Sequence, residues 1–217
     1  MNGCILGEFS KIKVCEASNF AEFRTAFNSK LERLFLVPSW TFDNVKGKFP
    51  IGFFIWNTNT SFDVTRGLSP LLEATADVYD ENGNKLPKKK IHIDTNDIRK
   101  INDWLRTFKS CTKETVGVLM ADAPDFANQK YVCFINEKTN RHGIFVDISK
   151  DNLIACAVYL AVRQCIAQSW LNDRAQFLYP SGYWEADKEF QFDCLVFTLF
   201  HGQNRISTDS AKINHWI

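Results

Sequence analysis

The sequence predicts an α/β protein, a mixed sheet with flanking helices, from three observations. Its opening residues alternate strand and helix patterns, its middle carries a hairpin signal between two strand patterns, and its last part is dominated by two apolar-periodic helices. The 217 residues, 45% apolar and 24% charged, suit one large domain or two small ones with a real core. Such a composition excludes a disordered chain, a collagen-like repeat and a coiled coil. The 19 Phe, with six Trp and five Tyr, predict a strongly aromatic core.

In the first block, Cys4 to Phe9 is a short apolar run that fits a buried strand. Asn19 is placed to cap a helix whose Phe20, Phe23, Phe27 and Leu31 recur at helical spacing. Leu34 to Val37 reads as a strand stopped by Pro38. Phe49 to Trp56 is a continuous aromatic and β-branched run, as expected for a strand covered on both faces, with Pro50 at its start.

In the middle block, Ala74 to Tyr79 and Lys85 to Ile93 flank an Asn82-Gly83 hairpin signal. Thr95 or Asn96 then opens a helix through Ile98, Ile101, Trp104, Leu105 and Phe108. Val116 to Met120, Tyr131 to Ile135 and Gly143 to Ile148 read as strands. Ser149 or Asp151 caps a long helix over 152–171, and Asp187 or Glu185 opens another through Phe190, Cys194, Phe197 and Phe200. The polar tail after His201 is expected to be loosely held.

With 26 Lys+Arg against 25 Asp+Glu, the chain has no global pull toward nucleic acid or membranes, so anion binding has to come from local patches. The seven Cys form no CxxC pair, and Cys133, Cys156, Cys165 and Cys194 sit inside apolar runs. That pattern predicts a reducing, cytoplasmic setting without a disulfide framework or zinc site. His92, His142, His201 and His215 have no metal-ligand spacing. The first dozen residues do not read as a signal peptide, and Arg163, Gln164, Gln168 and Ser169 interrupt the most apolar stretch, so it reads as a core helix. Arg163 is expected to pair with an acid such as Asp173 or Asp193.

The sequence has no GxGxxG, no GxxxxGK[ST] and no GxSxG, hence no visible phosphate cradle or nucleophile elbow. Pro124-Asp125 has no downstream Glu-x-Lys and reads as a turn rather than part of a nuclease. Two basic stretches remain. Lys85, Lys88, Lys89 and Lys90 are either a solvated hairpin arm that discourages edge pairing or a phosphate contact. Trp40, Phe42, Lys46, Lys48 and Phe49 mix aromatics and cations around one loop, a combination suited to stacking on a base while holding its phosphates.

Residues 7–13 (Gly-Glu-Phe-Ser-Lys-Ile-Lys), 19–24 (Asn-Phe-Ala-Glu-Phe-Arg) and 41–56, from Thr41-Phe42-Asp43-Asn44 through Lys48-Phe49-Pro50 to Ile55-Trp56, carry a resemblance. They look like the later part of bacterial DNA adenine-N6 methyltransferases of restriction–modification type. Residues 159–174 and 190–195 are similar to the C-terminal extension of the same group. The resemblance is strongest over residues 7–56. It implies a partial Rossmann-like sheet ending in an antiparallel hairpin, with 1–60 as its distal part and 61–217 as an α+β extension packed with it.

The glycine-rich cofactor turn and the Asp-or-Asn-Pro-Pro-aromatic tetrapeptide that precede this pattern in the family do not occur here. The resemblance therefore implies a distal piece of a split or truncated methylase, with no catalytic residues, no metal and no cofactor of its own. S-adenosylmethionine enters only if a catalytic half completes the site. By the same resemblance Phe42, Asn44, Lys46, Lys48 and Phe49 form a base-side loop, and Lys88, Lys89 and Lys90 are phosphate contacts. The expected partners are DNA, a complementary methylase subunit or a second copy, and no membrane. The alternative is a degenerate remnant serving as a protein-interaction module without DNA binding.

Overall fold

A computed structural model describes residues 3–27, 29–59, 73–93, 100–109, 114–121, 126–167, 169–172, 176–180 and 182–207. The chain divides into two compact units, Met1–Ile98 with Ser169–Gln176, and Arg99–Gln168 with Phe177–Ile217. The first unit thus extends past the 1–60 piece and takes in a segment from much later in the chain.

The first unit is built from β1 (Ile5–Lys11), α1 (Lys13–Glu16), α2 (Ala21–Ala26), β2 (Lys30–Pro38), β3 (Pro50–Asn57), β4 (Glu73–Tyr79) and β5 (Lys85–His92). Its five strands lie in the order β1-β3-β2-β4-β5, with β2 and β4 parallel and the other pairs antiparallel. One face of this sheet holds the core. Leu34 and Leu36 of β2, Phe54 and Trp56 of β3, and Ala76 and Val78 of β4 are buried there with Ile12, Val14 and Cys15, and Trp170 and Leu171 pack against them. Phe54 and Trp56 stack 5.6 Å apart with nearly parallel rings.

Sequence expectations for this unit need three corrections. β3 alternates buried and half-exposed residues along its whole length, so only one of its faces is covered. A continuous apolar run satisfies both a two-sided strand and a one-sided strand whose second face is left open. β1 is an edge strand and mostly exposed, with Ile5 at 64% and Phe9 at 61%, rather than buried. The helix expected from Asn19 to Leu31 is the single short helix α2; its N-cap is Phe20, and Leu31 already belongs to β2.

The second unit contains α3 (Ile101–Leu105), β6 (Gly117–Ala121), β7 (Val132–Ile135), β8 (Ile144–Ile148), α4 (Leu153–Gln164), α5 (Tyr183–Ala186) and α6 (Lys188–Phe200). Its sheet has β6 at the centre, antiparallel to β7 and β8, and all five residues of β6 are buried. The core joins Leu119, Val132, Phe134 and Ile148 from the strands to Cys156, Tyr159 and Leu160 of α4 and Cys194 of α6. The Asp187 side chain caps α6 by accepting from the Phe190 N–H at 2.9 Å.

α4 ends at Gln164, not at 171, and its N-cap is Asn152. The Gln129 amide donates to the Arg163 carbonyl at 2.8 Å and to the Ile166 carbonyl at 3.0 Å. A side chain distant in sequence thus satisfies carbonyls that a longer helix would have bonded. Buried Arg163 donates through Nη1 to the Tyr159 hydroxyl at 2.9 Å and to Asn102 Oδ1 at 3.1 Å. Of the two acids considered for it, Asp193 is exposed on α6 and Asp173 lies outside the described residues. The helix expected to open at Thr95 or Asn96 and run through Phe108 is shorter: α3 begins at Ile101, behind an extended Lys100, and ends at Leu105. Thr95, Asn96 and Ile98 lie outside the described residues, as do Pro124, Asp125, Cys111 and the tail from residue 208.

Candidate nucleic-acid interface

The face of the first sheet opposite its core carries a row of rings. Strand pairing aligns Phe9 of β1 with Phe53 of β3 and Phe53 with Phe35 of β2. Ring centroids lie 4.7 Å apart for Phe9–Phe53, 6.4 Å for Phe35–Phe53 and 6.4 Å for Phe35–Tyr79. Phe42, from the loop between β2 and β3, meets Phe9 edge-on at 5.2 Å. The five rings make a continuous aromatic strip from that loop to β4. Cross-strand aromatic pairs stabilise the sheet itself, yet this strip is only partly shielded from water.

Cations stand at both ends of the strip. At the loop end, Lys11 Nζ sits 4.5 Å from the centroid of the Phe49 ring. The loop is closed by Ser39, whose N–H donates to the Phe49 carbonyl at 3.0 Å and whose hydroxyl donates to the Gly47 carbonyl at 2.7 Å. Asn44 and Gly47 take left-handed φ values of 66° and 117°, turns that a short amide side chain and a glycine tolerate. Lys46 and Lys48 are exposed on this loop. At the far end, Lys85 and Lys88 lie 3.5 and 3.6 Å from the Asp77 carboxylate, and Asp77 is the β4 residue paired with Phe35. On the same face, Arg33 of β2 pairs with Ile55 of β3.

The residues proposed from sequence therefore separate. Phe42, Asn44, Lys46, Lys48 and Phe49 share one loop beside Phe9. Lys88 and Lys90 alternate with Lys89 along β5, as strand geometry requires. Lys89 points the other way, donating to the Leu171 carbonyl at 2.6 Å and to Asn172 Oδ1 at 2.9 Å, so it is a tether within the unit. Sequence reasoning missed Phe9, Phe35, Phe53, Tyr79 and Lys11. The available signal was period two within residues 49–56, which sends Phe53 and Phe54 to opposite faces.

The rim also holds acids. Glu32 accepts from Lys30 and from the Asn57 amide, and these bonds hold its carboxyl below the ordinary range. Asp80, in the β4–β5 turn, is lowered in the same way by its bonds from Asn84 and Asn82.

The second unit offers a groove of about 440 Å³ lined by Phe134, Ile148, Leu153, Leu195, Leu199 and Ile206 among others, with no charged residue among the described residues of its lining. Its described lining supplies no group for acid–base chemistry. Among the described residues no cluster of three His, Cys, Asp or Glu is placed to hold a metal, and the six described cysteines are free. Burial pushes the Cys15 and Cys156 thiols up to about 12, which keeps them from acting as thiolates. No described helix is long and apolar enough to cross a membrane. Comparison of the chain with family models, curated proteins and solved structures finds no match.

Proposed function

We propose that this chain is a non-catalytic DNA-binding protein of the methylase-like kind its first block resembles, and that it stacks unpaired bases on the aromatic strip of its first sheet. The observation that carries the reading is the strip Phe42–Phe9–Phe53–Phe35–Tyr79, with lysines at both ends. Aromatic faces stack any base, and flanking cations follow the phosphates, so binding is tolerant of sequence and sensitive to salt. The order β1, helices, β2, β3, closing with an antiparallel pair, agrees with the distal sheet that the resemblance implies.

An anisotropy titration with a single-stranded oligonucleotide and its duplex at two salt concentrations tests this. The single strand binds more tightly than the duplex, and its affinity falls as salt rises. Equal and negligible binding of both removes the DNA role.

A second reading, docking to a complementary catalytic half in the cytoplasm, is favoured by the exposed apolar residues of β1. Addition of such a half then restores methyl transfer from S-adenosylmethionine to DNA, a chemistry this chain's residues do not supply.

A further inference from the structure

We propose that the open edge of β1 is a strand-addition site for β1 of a second copy of this chain. The two edges of the first sheet are treated differently. β5 carries exposed Pro87, Lys88 and Lys90, which oppose pairing with another strand, and Gln176 bonds to its last residue. β1 has β3 as its one neighbour among the described residues, and it exposes Ile5, Leu6 and Phe9.

The ladder fixes which backbone groups are available. The Cys4 carbonyl accepts from the Thr58 N–H at 2.9 Å, in register with the β1–β3 pairing. Antiparallel pairs alternate, so Leu6, Glu8 and Ser10 turn their N–H and C=O toward β3, while Ile5, Gly7, Phe9 and Lys11 turn theirs outward.

An antiparallel β1–β1 pair is two-fold symmetric, and apolar matching and charge together select its register: with Leu6 facing Leu6, Ile5 and Phe9 would face only Gly7 and Gly3. With Gly7 facing Gly7 of the second copy, Ile5 faces Phe9, Leu6 faces Glu8, and Cys4 faces Ser10. The outward groups of Ile5, Gly7 and Phe9 are then all bonded, and exposed apolar side chains meet one another. Moving the register by one residue in each strand sets Glu8 against Glu8, a like-charge pair at close approach that is unfavourable. Moving it further the same way leaves Ile5 without a partner. The union would join two five-stranded sheets edge to edge. It does not rest on nucleic-acid binding, although Phe9 belongs both to the aromatic strip and to this edge strand.

Light scattering over a concentration series tests the proposal on the full chain. The protein dimerises, and Ile5→Lys, which gives β1 the kind of guard that β5 has, raises the dimer dissociation constant by about tenfold or more. Mild oxidation of Ser10→Cys, a near-isosteric change, produces a disulfide-linked dimer, because cross-strand neighbours of this type lie within disulfide reach. Adding Cys4→Ser abolishes that link. A chain that stays monomeric overturns the proposal. So does a dimer that Ile5→Lys leaves unchanged, or one whose Ser10→Cys form gives no link dependent on Cys4.

Discussion

Gln176 and His92 exchange two hydrogen bonds through one side-chain amide: the His92 N–H donates to Gln176 Oε1 at 2.6 Å, and Gln176 Nε2 donates to the His92 carbonyl at 2.8 Å. The amide thereby imitates a neighbouring strand at the end of β5. The second Nε2 hydrogen goes to the carboxylate of Glu16, which is fully buried. Gln176→Ala removes all three bonds and leaves buried partners less satisfied. It should lower stability by about 1–3 kcal/mol, read as a shift in urea midpoint with an unchanged slope. A midpoint equal to that of the wild type would show that water replaces the amide.

The lysines divide by what they touch. Lys89 is half-buried and donates to two oxygens of the 169–172 stretch, whereas Lys46 and Lys48 stand exposed on the loop beside Phe49. Lys89→Met keeps the stem and loses both bonds, so it should cost about 1–2 kcal/mol and leave the salt dependence of DNA binding as it was. Lys46→Ala/Lys48→Ala should do the reverse, lowering the slope of log affinity against log salt by about 1–2 at unchanged thermal stability. Matching slopes for that double variant and the wild type would remove the loop from the interface.

These divisions show what could be read from sequence. The β4–β5 hairpin was legible because its information is local: Gly83 takes φ 81°, and Asp80 accepts from the Asn82 and Asn84 N–H groups. The strand patterns around Leu119, Val132 and Val146 were legible for the same reason. The end of α4 was not, because it depends on Gln129, over thirty residues earlier. Nor was the openness of β3. Phe53 and Phe54 are the same residue type, and only the tertiary structure decides which ring is buried. Lys88, Lys89 and Lys90 form one basic patch in sequence, and strand geometry turns the middle one inward.

His201 gives the second unit a pH dependence. Its ring stacks on Phe197 at 4.8 Å, and its Nδ1 accepts from the Gln203 N–H at 3.2 Å. Burial lowers its pKa below the ordinary 6.5. The folded state therefore holds the neutral ring, while the unfolded chain takes up a proton near the ordinary value. Its contribution is complete above pH 6.5 and is lost as pH falls through the lower folded value. Urea midpoints on either side of that window should fall further for the wild type than for His201→Gln. Parallel falls would assign the acid sensitivity to other groups.

Phe53 is the central test of the aromatic strip, because it touches Phe9 on one side and Phe35 on the other. Its face is half-exposed, so Phe53→Leu keeps an apolar residue in the strand and removes only the flat surface. Stacking of one base on an aromatic ring is worth about 1–3 kcal/mol, so affinity for a single-stranded oligonucleotide should fall roughly 5- to 150-fold. Stability should change far less than in Phe54→Leu, where a ring stacked on Trp56 leaves a filled core. The salt slope should stay the same in Phe53→Leu, since no phosphate contact is lost. A variant that keeps full affinity would mean that the strip serves the sheet alone, and one that loses affinity only together with its fold would point the same way.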